Sequence, residues 1–237
     1  MKKAFLAITL VAATAHAGDP AAGKSKSLAC QACHASANAI GPHLVGQREK
    51  YLVAQLTAFK SGERKNDLMS AIAKQLSEAD IADLAAYWSA QPTGSDATIS
   101  DAAAAIAKPR MTFPKEFPKG FVLYNTEDDA EHHTSQKSYV NATALAAAKA
   151  GKPLPNGSIV LVVTTTNDKP AYSGMEAHAG FGKDIPPLLQ NGDWSYNLWT
   201  SDRTPKTDFN EAMCLACHKP TAASSYVFTY DKIKKAP

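Results

Sequence analysis

Cysteine is scarce in this chain: four thiols in 237 residues. In an exported protein, thiols are normally tied up in disulfides or absent. Long hydrophobic runs are missing too. Beyond the first residues no stretch approaches the ~20 apolar residues that cross a bilayer, so no membrane span is expected. Charge is nearly balanced, with 25 basic against 22 acidic residues, and part of the small excess is Lys2 and Lys3. There is no Arg-rich patch, so no nucleic-acid partner is expected. The lysines from Lys232 to Lys235 read as a solvated chain end. What the N-terminus does have is a basic start, an apolar run from Ala4 to Ala15 and an A-x-A-like step at Ala15-His16-Ala17. That pattern predicts a secretory signal over residues 1–17, cleaved after Ala17, and a periplasmic mature protein. The remainder suffices for two small domains.

The four cysteines form one pentapeptide twice. Cys30-Gln31-Ala32-Cys33-His34 is the first copy and Cys214-Leu215-Ala216-Cys217-His218 the second. Cys-x-x-Cys-His is the attachment signature of a c-type haem. Each sulfur can add to a haem vinyl group, and the adjacent histidine offers its imidazole to the iron. A thioredoxin-like pair would not need histidine beside both motifs. A four-cysteine zinc site would pair its Cys-x-x-Cys units over a short loop, whereas these lie near opposite ends of the chain. Two covalently attached haems are therefore expected, which leaves no free thiol.

Asp19-Pro20 reads as an N-cap and first-turn proline of a short helix leading into Cys30–His34. Gly41-Pro42 breaks the chain. Leu52, Leu56 and Phe59 follow helical spacing from Gln47 to Ser61, and Gly62 stops that helix. Ser77 with Asp80 approximates a capping box. Ile81, Leu84, Ala85 and Trp88 then form an i, i+3, i+4, i+7 stripe. Met69 lies before that last helix, in a polar stretch read as a loop (Glu63-Arg64-Lys65-Asn66-Asp67). A lone methionine is often core filler. Here its thioether can supply the sixth iron ligand, which raises the reduction potential; His43 is the alternative. Residues 18–91 resemble a class I cytochrome c. The resemblance rests on Cys30–His34, Gly41-Pro42, Gly46-Gln47, Tyr51-Leu52, Gln55-Leu56, Met69, and Leu76–Ile81 leading to Ala85-Ala86-Tyr87-Trp88. It implies an all-α fold around a low-spin haem that exchanges electrons with a redox partner protein.

Residues 92–110 read as a linker, with a short alanine-rich helix over Asp101–Lys108. The C-terminal half cannot repeat the first domain, because too little chain remains after His218. The second haem pocket must be built from sequence before its motif. Ser138–Ala150 reads as a helix. Ser158–Thr166 reads as a β-branched strand, with further strand-like pieces at Pro170–Met175, Asp193–Trp199 and Tyr226–Tyr230. The expected fold class is a helical domain followed by a mainly antiparallel β-sheet haem domain with a few helices (α+β). Residues 111–237 resemble the cytochrome P-460 family, which includes the cytochromes c-prime-beta. The matching pieces are Phe117–Phe121, Tyr139-Val140-Asn141, Gly151-Lys152-Pro153, Asn156-Gly157-Ser158, Met175-Glu176, Asn191–Trp194, Cys214–Pro220 and Tyr226–Thr229. The resemblance implies His218 as proximal ligand, an open distal side and room for a homodimer through this domain.

Hydroxylamine-oxidising members of that family join a strand lysine covalently to the haem. Counting from Asn156-Gly157 it would fall at about Val162, and Ile159–Thr166 contains no lysine. The same members carry a distal carboxylate as proton acceptor, which Glu176 matches by placement. Met175 and His178 flank it as alternative iron ligands. His132-His133 read as surface, and Phe181 and Trp194 as pocket wall or core. The expectation is a dihaem electron carrier whose second haem binds or converts a small nitrogen oxide. The alternatives are a plain dihaem carrier, or a hydroxylamine oxidoreductase if a lysine cross-link exists.

Overall fold

The computed structural model describes residues 17–35, 40–92 and 100–237. The expected export signal, apart from Ala17, lies outside the described residues, as does the stretch 93–99 of the expected linker. Five helices form the first half: α1 (Pro20–Lys26), α2 (Leu28–His34), α3 (Glu49–Ser61), α4 (Asp67–Ala73) and α5 (Glu78–Ser89). Asp19 caps α1, its side chain accepting from Ala21 N at 2.8 Å. Gly62 ends α3 in the left-handed region at φ 84°, a backbone state glycine adopts without a Cβ clash. Ser77 and Asp80 form a full capping box at α5. Ile81, Leu84, Ala85 and Trp88 are all buried, as the stripe predicts.

The loop expected around Met69 is instead helix. Asn66 accepts from Met69 N at 2.9 Å, and nothing from Asp67 to Ala73 breaks the turn that this cap starts. Met69 therefore sits in the first turn of α4.

Helices α1 and α5 cross at close range. A Cβ on Gly23 would lie 2.0 Å from the Asp83 carbonyl oxygen and 2.7 Å from Tyr87 Cβ. Beside the crossing, Lys26 Nζ bridges Asp80 at 2.7 Å and Asp83 at 2.6 Å. The Lys26 bond, then those from Ser77, hold the Asp80 carboxyl down to about 2. Gly23→Ala should overpack the contact and destabilise the protein by about 1–3 kcal/mol, read by thermal unfolding. An unchanged midpoint would contradict so close a crossing.

The second half is a five-stranded antiparallel meander in the order β1-β2-β3-β4-β5. Its strands are β1 (Phe121–Asp129), β2 (Thr134–Asn141), β3 (Ile159–Thr166), β4 (Lys169–Ala177) and β5 (Trp194–Trp199). The β1–β2 hairpin escapes the sequence reading because its tip carries Glu127, Asp128, Asp129, Glu131, His132 and His133, a composition that reads as loop. Of the helix expected over Ser138–Ala150, the first residues belong to β2, and only α7 (Ala142–Lys149) is helical. Asn141 makes that switch by capping Ala144 N. The strand expected at Tyr226–Tyr230 does not form. Ser225 and Tyr226 take positive φ of 55° and 63°, which an extended strand cannot contain. The segment instead leads into α9 (Tyr230–Lys234).

Each sheet face has its own core. Met111, Phe117, Leu161 and Trp199 fill one face. Val140, Val160, Met175, Trp194 and Tyr196 lie on the other, in the cluster that also holds Ala212 and Leu215 of α8 (Glu211–His218). Helix α6 (Asp101–Ala107) occupies the expected linker helix, but it is no free spacer. Ala103 and Ile106 are fully buried, and α6 packs on α2 and α8. Among the described residues no helix is long and apolar enough to cross a membrane.

Candidate haem-attachment sites

Both pentapeptides occupy the C-terminal ends of short helices, α2 and α8. The two imidazoles are held alike. His34 Nδ1 lies 2.7 Å from the Pro42 carbonyl oxygen, and His218 Nδ1 lies 2.7 Å from that of Tyr226. A carbonyl only accepts, so each Nδ1 carries the proton and donates. The other ring nitrogen, Nε2, keeps its lone pair, the arrangement that suits a metal-ligating histidine. Burial pushes both imidazole pKa values down, which keeps the rings neutral, while the carbonyl bonds oppose that shift. Gly41 lets the chain pass flat against the first ring, since a Cβ there would lie 2.3 Å from His34 Cε1.

The thiols are quiet. Burial first, then the neighbouring Cys33, raise Cys30 to about 12. Burial raises Cys33 to about 11 and, aided by Glu211, Cys214 to about 12. Such thiols are poor thiolate nucleophiles and do not resemble a redox-active dithiol. Among the described residues no three metal-binding side chains converge.

A cavity of about 440 Å³ opens beside the first motif, within the ~300–1,000 Å³ usual for bound small molecules. Cys30, Cys33, His34 and Met69 line it together with Leu52, Phe59, Leu84 and Trp88, and Tyr51 stands at its wall half exposed. Trp88 Nε1 is buried with no acceptor among the described residues. An acidic group carried by a cavity occupant, such as a haem propionate, would complete that bond. Two thiols, a free Nε2, a thioether, apolar walls and an orphaned donor fit a covalently attached haem. The sequence reading missed Met213, which also lines this cavity, as do Leu189 and Ala216. Its only signal is its place beside Cys214, and nothing in the sequence shows that the second motif packs against the first.

The second motif is more open. Tyr196 and Phe228 flank the His218 ring at 4.7 and 4.8 Å between centroids, and Phe228 is largely exposed. Tyr196 pairs with Met175, and Met175 with Val160. Directly paired residues share a face, so this row lies on the His218 side of the sheet. The next row on the same face is Ser138–Val162–Ser173–Leu198, in which all but Ser138 are only partly buried. A flat apolar and hydroxyl-bearing surface beside a free imidazole and two thiols also fits a haem.

The expectation that Glu176 shares this pocket is not met. Glu176 pairs with Ile159 and Ser195, and strand alternation puts it on the face away from Tyr196 and His218. Burial raises its carboxyl pKa, with His178 opposing. Met175, its neighbour, is the one on the His218 side and is buried in the core. His43, His132, His133 and His178 are exposed. Phe181 stacks on His178 at 4.8 Å, and Trp194 is core.

Paired thiols, a tautomer-fixed imidazole and an apolar cavity between helices define the c-type cytochrome class of site. Comparison with known proteins agrees. Residues 18–87 match the family model described as cytochrome c oxidase, cbb3-type, subunit III. Residues 114–229 match that described as Cytochrome P460. Cytochrome c-554(548) of Halomonas halodenitrificans is 44% identical over 82 residues, 32% of this chain and 99% of that protein. Cytochrome c4 of Pseudomonas aeruginosa is 43% identical over 79 residues, covering 32% of this chain and 39% of its own. A thiosulfate dehydrogenase electron acceptor of Thiomonas intermedia is 38% identical over 106 residues, 42% of this chain and 49% of that protein. The chain belongs to the cytochrome c family, and a P460-like domain follows its cytochrome c domain. It spans less than half the length of the cytochrome c4 relative.

Proposed function

We propose that the chain is an exported, periplasmic dihaem cytochrome. Cys30 and Cys33 would hold the first haem, with His34 and Met69 available to its iron, and Cys214 and Cys217 would hold the second, with His218 available to its iron. The second site would leave room for a small nitrogen oxide, and the first domain would exchange electrons with a redox partner protein. The observation that carries this reading is the repeated arrangement of the two histidines, each with Nδ1 donated to a carbonyl and Nε2 free. A bound haem supplies one-electron chemistry at its iron. The protein would supply a neutral imidazole at each site and, at the first, a thioether and apolar walls. At the second site Val162 and Ser173 stand on the histidine's face and offer no strong ligand. The name of the Thiomonas relative supports an electron-carrying role.

A second reading, a plain dihaem carrier, rests on Met175, which shares the His218 side of the sheet. Hydroxylamine oxidation is disfavoured because position 162 is on that side but is valine, which cannot bond to the ring. A tryptic digest should therefore release the second haem peptide attached through thioethers alone. A lysine–haem adduct in the mass spectrum would restore hydroxylamine oxidation as the leading function.

A further inference from the structure

Asn210 joins the two motif helices. It is the N-cap of α8, where its Oδ1 accepts from Ala212 N at 3.0 Å. Its Nδ2 donates to the Ala32 carbonyl at 2.6 Å. Ala32 lies inside the first motif, in the last turn of α2, where carbonyls lack intrahelical partners. The neighbouring carbonyls are met locally: Gln31 O by Ala35 N, and Cys33 O by Gly41 N. A single amide thus completes the end of one motif helix and the start of the other.

The surroundings extend this link. Met213 and Ala216 of α8 form part of the wall of the first cavity. Helix α8 also packs on α4, which carries Met69. The second motif is therefore seated against both the thiol side and the methionine side of the first site.

We propose that Asn210 is a positioning residue that locks the two Cys-x-x-Cys-His helices in one register, so that the haems exchange electrons directly within the chain. The inference rests on the two-haem reading above. One electron leaves a ferrous iron at one motif and reduces a ferric iron at the other; no bond breaks and no proton moves. Tunnelling rates fall exponentially with the gap, so slack between α2 and α8 slows transfer even when each haem stays correctly ligated.

The test separates bridging from capping. Asn210→Asp keeps a good N-cap acceptor but sets a carboxylate against the Ala32 carbonyl. Asn210→Ser also keeps the cap and is too short to reach Ala32, so it serves if the Asp variant folds poorly. Holoprotein of each is examined by flash photolysis of a half-reduced, carbon monoxide-bound sample and by pulsed EPR of the iron–iron distance. The expected result is a several-fold slower intramolecular transfer and a broader distance distribution, with haem content and both optical spectra unchanged. Wild-type rate and distance in both variants overturn the proposal, as does a wild-type rate that scales with protein concentration. Fewer than two haems per wild-type chain would instead refute the reading beneath it, an outcome that haem content distinguishes at once.

Discussion

Ferrous protein titrated with carbon monoxide or nitric oxide should take up one ligand per chain, at the haem carried by Cys214–His218. The first haem should not compete, because two thioethers, Met69 and Met213, line its cavity and a thioether closes the sixth position of a low-spin haem. At the second site the residues beside Tyr196 on the His218 face are Met175, which is core, and then Val162 and Ser173. Methyl and hydroxyl groups do not displace a diatomic ligand from ferrous iron. Optical titration counts the sites. Removing the imidazole with His218→Ala should weaken the carbon monoxide adduct at that site while leaving the first haem's spectrum intact. Failure of both haems to bind either gas would favour the plain carrier, with Met175 as the residue to replace next. Uptake of two ligands per chain would mean that Met69 does not hold the first iron.

Met69→Ala should abolish the long-wavelength thioether-to-iron band of the ferric protein and lower the first haem's potential, since a His/Met pair favours the reduced state. The expected change is confined to one haem in a redox titration. Met213 supplies the control that the sequence did not suggest. It shares the cavity wall with Met69, so Met213→Ala should leave both the band and the potential in place. If the band survives Met69→Ala and disappears in Met213→Ala, the second domain, rather than α4, provides the ligand.

The haem-attachment motifs are legible in the sequence because they are local. Cys-x-x-Cys-His fits in little more than one helical turn, and the stripe of Ile81, Leu84, Ala85 and Trp88 follows from helical period alone. Helix caps at Asp19 and Ser77 were readable for the same reason. What stayed hidden depends on contacts between distant residues. The β1–β2 hairpin has a charged tip that looks like loop, and its strands are recognised only by pairing with β3. Tyr226–Tyr230 carries strand-forming residues, but two consecutive left-handed residues turn the chain so that the Tyr226 carbonyl reaches His218. Glu176 was placed by order along the chain, whereas the face it occupies is set by register, and alternation gives that side to Met175 instead. Met213 and Asn210 could not be read at all, because their roles arise from α8 packing on α2 and α4.

A dihaem chain is tested most simply by the intact mass of the mature holoprotein under denaturing, non-reducing conditions, together with a digest. Two thioether-bound haems per chain are predicted, one on the peptide containing Cys30 and Cys33 and one on that containing Cys214 and Cys217. A mass corresponding to a single haem, or to a haem-free chain with its four thiols free or paired as disulfides, would contradict it.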